Sequence, residues 1–229
     1  MATTGTTAFN PATSNIVLNA LSRNQIRGSD ITTEHLIQAD MEANLALVKL
    51  GNKQPNLWTS ELGSLSLSSG TATYSLASTV TDITIIYLSV TSGGVTTDRV
   101  LGPISTTEYA SFPDKTVEGV PTSFWFNRQI TPQLTFWPVP DDNATYVARY
   151  RYLRQTYDAS AKSGYTMDLP WRWLDAFGDE LTARLARHYK PELYQAHKAI
   201  ADESWMTAAG EDTENVSLYL TPGLSTYYR

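Results

Sequence analysis

The hydrophobic period of this chain changes twice, and that double change restricts its fold more than any other feature. Before Asn56 apolar residues recur at three- and four-residue steps. From Asn56 to about Arg154 they alternate. From Asp168 the helical spacing returns. Helices before and after a β block can pack on each other as one bundle, which leaves the strands as an insertion. The expected fold class is therefore α+β: a helical bundle formed by N- and C-terminal helices, with an inserted antiparallel β subdomain and an extended C-terminal arm. The expected boundaries are residues 1–55 and 161–207 for the bundle, 56–160 for the insertion and 208–229 for the arm.

The C-terminal helical block carries the clearest signals. Leu169-Pro170-Trp171 opens it, with Pro170 in the first turn, where a missing N–H costs nothing. Trp173, Leu174, Phe177, Leu181, Leu185 and His188 then form a face to be buried. Asp175, Asp179 and Glu180 lie toward the helix start and Arg184 and Arg187 toward its end, in agreement with the helix dipole. Glu180 and Arg184 are also four apart in the favourable order. Lys190-Pro191 stops this helix and starts another, striped by Leu193, His197 and Ile200 and flanked by Tyr194, Ala201 and Trp205.

The N-terminal third supplies the partner helices. Thr13 or Ser14 caps a short one carrying Ile16, Val17, Ala20 and Leu21. Thr32 or Thr33 caps a longer one, whose core stripe is expected to be Ile37, Met41, Leu45 and Val48, flanked by Leu36 and Leu47. Gly51 is expected to end it. Six or seven short strands follow. Among them are the β-branched run from Ile83 to Val90, a turn at Ser92-Gly93-Gly94, the aromatic strands Phe124–Phe126 and Leu134–Trp137, and Thr145 to Leu153. In the last, Tyr146, Ala148, Tyr150 and Tyr152 share one face, and Val147, Arg149 and Arg151 mostly share the other.

Reactive constellations are missing. The three histidines, His35, His188 and His197, have no metal-ligand spacing. His188 and His197 lie on the two arms of the helical pair and could meet. Asp175 and Asp179 share a helix face, and the dipole explains them better than acid–base chemistry. Asp141-Asp142-Asn143 lacks the ordered oxygen ligands of a calcium loop and reads as a hairpin turn. With no cysteine, disulfides, thiolate zinc sites and a cysteine nucleophile are excluded. No enzyme, cofactor or metal is expected. Nor is a membrane: no run of 18 apolar residues occurs, and Met1 to Asn15 lacks the basic start and apolar run of a signal peptide. The net charge of −6, from 17 Lys+Arg against 23 Asp+Glu, would repel DNA on average. Arg149, Arg151 and Arg154, with Tyr150 and Tyr152 between, make a basic ladder. A solvated face, or ion pairs with a neighbouring subunit, explains it better than phosphate contact.

Several motifs then occur in one order. Gly70-Thr-Ala-Thr-Tyr-Ser-Leu76 precedes an apolar strand. Glu108-Tyr109-Ala110 and Gly119-Val120-Pro121-Thr122 lead to an aromatic strand ending Asn127-Arg128-Gln129. Leu134-Thr135-Phe136-Trp137-Pro138-Val139-Pro140-Asp141 comes before the Arg/Tyr strand. Asp168-Leu169-Pro170-Trp171-Arg172-Trp173-Leu174-Asp175-Ala176 runs into Leu181-Thr-Ala-Arg-Leu-Ala186. The ordered set, over roughly residues 12 to 200, resembles the head-to-tail adaptor (connector) proteins of short-tailed bacteriophages. The resemblance implies a ring of about twelve copies below the portal, at the capsid vertex of the virion. Such a ring joins the portal protein to the tail nozzle protein and continues the DNA channel, where DNA passes without sequence-specific binding. It implies no catalytic site, and synthesis in the host cytoplasm.

Two sets of contact residues are expected within that reading. Aromatics make up 11 % of the chain, with 13 Tyr and 6 Trp, and those from Phe124 to Arg154 exceed the needs of one small core. Trp125, Trp137, Arg149, Tyr150 and Arg151 are therefore candidates for contact with a neighbouring copy or the tail. In the C-terminal arm, Val216, Leu218 and Leu220 alternate as a strand would before the turn signal Pro222-Gly223. Leu218, Leu220, Leu224, Tyr227 and Tyr228 are candidate anchors on the portal, the alternative being an arm folded back on its own helices. The competing function is a β-rich tail module that binds a receptor or carbohydrate through Trp125, Trp137 and Tyr150.

Overall fold

A computed structural model of the protein describes residues 3–54, 56–162 and 164–213. The first helix, α1 (Thr13–Arg23), begins after Ala12 and has no side-chain cap. Thr13, expected to cap it, is buried, and its N–H donates to the carbonyl of Tyr165 at 2.9 Å. A tertiary bond thus does the work of a local cap. In α2 (Thr33–Lys53) the cap is local. The Thr32 hydroxyl accepts from the His35 N–H, and His35 Nδ1 accepts from the Thr32 N–H at 3.0 Å, a capping box with His in place of Glu. Gly51 does not end this helix, as expected, but lies inside it, and Gln54 is the C-cap. The last turn is held from outside, because Lys53 lies over the Trp205 ring at 4.0 Å.

Strands follow: β1 (Ser60–Leu67), β2 (Thr73–Ser75), β3 (Val80–Ser92), β4 (Val95–Val100) and β5 (Gly102–Pro103). After the short helix α3 (Thr106–Ser111) come β6 (Glu118–Gly119), β7 (Ser123–Asn127), β8 (Gln133–Trp137), β9 (Val139–Pro140) and β10 (Thr145–Arg154). The chain closes with α4 (Leu174–Tyr189) and α5 (Tyr194–Glu211), each entered through one 3-10 turn. The fold is α+β, as expected.

One sheet has the order β1-β10-β3-β4 and is antiparallel throughout. The second, β2-β8-β7-β5, is antiparallel except that β5 runs parallel to β7, and the two-residue pair β6 and β9 is also parallel. Sequence reasoning missed these parallel pairings because two-residue strands carry no period. Alternation along β10 buries Tyr146 and Ala148 and leaves Arg149 and Arg151 in solvent. Ile86, Leu88, Phe124, Leu134 and Phe136 complete that core. Gly63 on β1 is there for its missing side chain. A Cβ at this position would sit 2.4 Å from the Tyr150 ring, so only glycine lets the ring lie across β1.

The helical core is built around α4, which packs against α1, α2 and α5. Trp173, Phe177, Leu181 and Leu185 are fully buried there, as their spacing predicts. His188 is not; it stands at the edge, half exposed. On α5 the buried positions are Ala201 and Ala208, while Ile200 is 50 % exposed.

The main correction concerns α2. Its buried face is Ala39, Glu42, Ala43, Ala46, Leu47 and Leu50. The expected core stripe points outward instead: Ile37 is 67 % exposed, Met41 59 %, Leu45 43 % and Val48 49 %. Alanines at 39, 43 and 46 share one helix face, on the opposite side from that stripe. Small side chains let α2 and α4 approach closely. Charged side chains then fill the join.

Candidate docking surfaces

Three surfaces have the character of contact sites, and all are built from the elements above. The first is the outer face of the larger sheet. β10 register puts Arg151 between Leu62 and Ile85, and Arg149 between Ser64 and Tyr87, which itself pairs with Val100. Leu62, Ile85 and Val100 are 54 %, 41 % and 66 % exposed. Arg149 and Arg151 are exposed too, and neither guanidinium makes an ion pair or hydrogen bond among the described residues. This face is a lattice of apolar side chains around two free guanidinium groups.

Arg154, the third rung of the expected ladder, does something else. The register of β10 shifts just before it, and its side chain turns inward to 11 % exposure. Its guanidinium donates to both carboxylate oxygens of Asp168 and, at 2.8 Å, to Glu61, and lies 4.3 Å over the Tyr157 ring. The bond to Asp168 above all raises its pKa, so it stays protonated. Asp168 is tied in further: its carboxylate accepts from the Tyr157 N–H and its carbonyl from Trp58 Nε1, each at 3.1 Å. The end of the β block is thereby clamped to the entrance of α4.

Trp125, Trp137 and Tyr150 are half-buried. Trp125 stacks on Tyr109 with centroids 5.3 Å apart, and Trp137 packs on Phe112 at 4.2 Å while its Nε1 donates to the Asp114 carbonyl at 3.2 Å. One ring face of each Trp is thus occupied by its own chain. Tyr150 lies across Gly63, 5.5 Å from the Tyr152 ring. The structure brings Arg149, Tyr150 and Arg151 together on one strand, with Tyr150 on the opposite face from the two arginines. The candidate portal anchors Leu218, Leu220, Leu224, Tyr227 and Tyr228 lie outside the described residues.

The second surface is the outward row of α2. The third is an apolar groove of about 650 Å³ between α1, α4 and the chain's start, lined by Phe9, Pro11, Ile16, Ala20, Trp171 and Leu174. Phe9 and Trp171 are each 78 % exposed at its lip.

At the join of α2 and α4 the titratable groups pair with one another. Glu42 accepts from His188 Nε2 at 3.0 Å and from Arg184 at 3.2 Å; Arg184 also donates to Glu180 at 2.9 Å, and Lys49 donates to Glu180 at 2.6 Å. Burial pushes the Glu42 carboxyl up, but the bonds from His188 and Arg184 outweigh it and leave its pKa lowered. His188 thus meets Glu42, with Gln38 beside it at 3.3 Å, rather than His197. Asp179 pairs with Arg23 across to α1, so the dipole was only part of its explanation. The turn expected at Asp141-Asp142-Asn143 does not make a hairpin, since β9 pairs with β6 and β10 with β1 and β3; Asp141 there takes a 2.6 Å bond from Tyr146, whose hydroxyl is pushed up to about 12 by burial and by that carboxylate.

A scan against family models matches residues 16–219 to the SU10 adaptor protein family. The chain belongs to that family. The match spans both helical blocks and the strands between them, and it bears out the resemblance to phage head-to-tail adaptors. No curated protein matches the chain. The chain is thus a bacteriophage adaptor protein of the virion. The ladder and the aromatic strands were visible in sequence. Sequence reasoning missed the outward row of α2, although the competing alanine row was there to be seen. It also missed the inward side of Arg154, although Arg154 is three residues from Arg151 and so falls on the Tyr150 and Tyr152 face of β10.

Proposed function

We propose that this adaptor forms a ring of about twelve copies that joins the portal to the tail nozzle and continues the DNA channel. The family match over residues 16–219 carries the reading. In it, residues 1–55 and 161–207 act as the helical docking module, 56–160 as the inserted β module, and 208–229 as an arm laid on the portal through Leu218, Leu220, Leu224, Tyr227 and Tyr228. The outer sheet face around Arg149 and Arg151 meets the tail nozzle or a neighbouring copy, with Trp125, Trp137 and Tyr150 supporting that module. The two unpaired guanidinium groups support a contact there with an acidic partner. DNA passes without sequence-specific binding, consistent with the net charge of −6, since contacts to phosphate are what make nucleic-acid binding strong. The adaptor is structural and has no catalytic role.

Cryo-EM of the protein mixed with its portal tests this. A closed ring seated on the portal is expected, and a protein that stays monomeric on saturating portal refutes the ring. A truncation after Thr213 tests the arm. It keeps Asp212, whose fully buried carboxylate pairs with Arg172, so the isolated fold should survive while attachment is lost. Wild-type decoration of portals by the truncated chain would rule out the docking arm.

A further inference from the structure

We propose that in the free chain the α1–α4 groove seats the segment that follows α5, with Val216, Leu218 and Leu220 as the side chains that fill it. The described residues stop at Thr213, and the sequence continues from Glu214 to Arg229. The exit is pinned. Asp212 caps α5, its N–H donating to the Ala208 carbonyl at 3.1 Å, and its fully buried carboxylate pairs with Arg172. Arg172 itself lines the groove, so the segment starts at the groove's edge. One oxygen of that carboxylate, Oδ2, is buried without a hydrogen-bond partner among the described residues. The donors closest to it along the chain are the N–H groups that follow. An Asp that bonds the N–H two residues on turns the chain at that point.

Two surfaces border that exit, and charge decides between them. The cleft between α4 and α5 also includes Arg172, and Asp175, Glu203 and Glu211 line it. It suits a basic occupant. The groove, on the α1 side, is about 650 Å³ and apolar along Phe9, Pro11, Ile16, Trp171 and Leu174. Its two cations are already paired, Arg23 with Asp179 and Arg172 with Asp212, and Asp175 stands where groove and cleft meet. The groove therefore suits an uncharged, apolar occupant. From Asn215 to Tyr228 the sequence carries no charged residue. In an extended segment Val216, Leu218 and Leu220 share one side, and Ser217, Tyr219 and Thr221 the other. Leu220 is eight residues from Asp212, a reach of about 26 Å. Seating covers Phe9 and Trp171, each 78 % exposed at the lip. Because the segment is tethered, it meets the groove at a local concentration on the order of millimolar. A few side chains then hold it, where two separate chains would need about 800 Å² each. The same residues belong to the arm laid on the portal above; on that reading the groove holds them until the portal takes them.

The absence of cysteine from the chain makes a clean test available. Asn19, exposed on the groove wall, is changed to Cys in the full chain together with Ser217→Cys or Thr221→Cys. In the controls Met206→Cys takes the place of Asn19→Cys. Met206 is 66 % exposed on α5 and does not line the groove, and it lies about 9 Å along the helix from Asp212. The dilute protein is oxidised without portal. With at least one of the two segment positions, a disulfide within one chain should close about tenfold faster from Asn19→Cys than from Met206→Cys. Closure no faster than the control at both positions overturns the seat. Disulfide-linked dimers in place of closure put the segment on a second copy, and overturn it too. Filling the groove gives an independent readout. Gly178 lines it, and a Cβ there would meet only Ile16 Cγ2, at 3.8 Å. Gly178→Leu therefore adds a side chain on the groove side without a clash, and should keep the wild-type melting temperature or raise it, since Leu favours a helix over Gly. Closure from Asn19→Cys should fall to the Met206→Cys level in that background. Unchanged closure there overturns the proposal. The portal enters none of these samples, so loss of the seat leaves the ring and the portal arm to their own tests.

Discussion

Replacing Arg154 by Met should cost about 3 kcal/mol, and the structure says where that energy resides. Methionine keeps most of the apolar stem and removes the guanidinium. Asp168, whose side chain is 21 % exposed, loses two charge-assisted bonds and keeps the bond from the Tyr157 N–H. Stranding one member of a largely buried, hydrogen-bonded pair costs about 3–5 kcal/mol when burial is complete, and the residual exposure argues for the low end. Glu61 should matter far less, because it stands in solvent and only one bond joins it to the guanidinium. The assay is a double-mutant cycle by urea unfolding, with Arg154→Met, Asp168→Asn and the pair, and Glu61→Gln as a control. A coupling of about 2 kcal/mol between 154 and 168 is expected, with the slope against urea unchanged. In thermal unfolding the single Arg154→Met change should lower the midpoint by about 6–12 °C, given ~2–4 °C per kcal/mol for a chain of this length. A coupling under about 0.5 kcal/mol, or a Glu61→Gln loss larger than that of Asp168→Asn, would refute the clamp.

Three further outcomes are expected. Leu181→Asp should abolish the helical fold: Leu181 is fully buried, its burial is worth about 1.5–3 kcal/mol, and an unpaired carboxylate adds a desolvation cost; an unchanged melting temperature would show that this core is not cooperative. Glu42 has a folded pKa below its ordinary 4.5, so its contribution is whole above about pH 4.5 and is lost as pH falls through the lowered value; Glu42→Gln should flatten the acid limb of the melting curve, and a limb as steep as wild type would count against the network. Gly63→Ala puts a Cβ 2.4 Å from the Tyr150 ring and should cost about 1–3 kcal/mol by overpacking; a smaller side chain at 150 should return part of it, and a neutral Gly63→Ala would mean that the ring moves freely.

How far the sequence could be read follows from which forces leave a periodic trace. Burial by a strand or a long helix does, so Trp173 to Leu185 and the alternation of Tyr146 and Ala148 against Arg149 and Arg151 were legible. Pairing between distant side chains does not. Arg154 is three residues from Arg151, so alternation puts it on the face of Tyr150 and Tyr152, but nothing in the sequence names Asp168, 14 residues on, as its partner. Nothing near Thr13 says that its N–H will be satisfied by Tyr165. The candidate contact residues were legible only as an excess of aromatic and arginine side chains. Their division into free guanidinium groups and self-stacked tryptophans needed the register of β10 and the position of α3.

The orientation of α2 shows why the larger hydrophobic residues did not win the core. The helix offers two apolar faces about 180° apart, one of Ile37, Met41, Leu45 and Val48, the other of Ala39, Ala43, Ala46 and Leu50. Burying the first would remove more apolar area from water. It would also bring Glu180 and Arg184 of α4 against isoleucine and methionine, with Glu42 turned away. Glu180 has a side chain only 6 % exposed, and its two partners, Lys49 and Arg184, come one from each helix. Two carboxylates and two cations, with His188 at the edge, therefore fill the join with balanced charge. A carboxylate left there without a partner would cost several kcal/mol, and the pairs to Lys49 and Glu42 would be lost; against this stands about 1.5–3 kcal/mol for each large side chain of the row. Buried charge thus sets the rotation of α2, and the alanine face is what lets α4 come close enough to make the bonds. The larger face is left outside as a consequence, which is how α2 comes to carry an exposed apolar row.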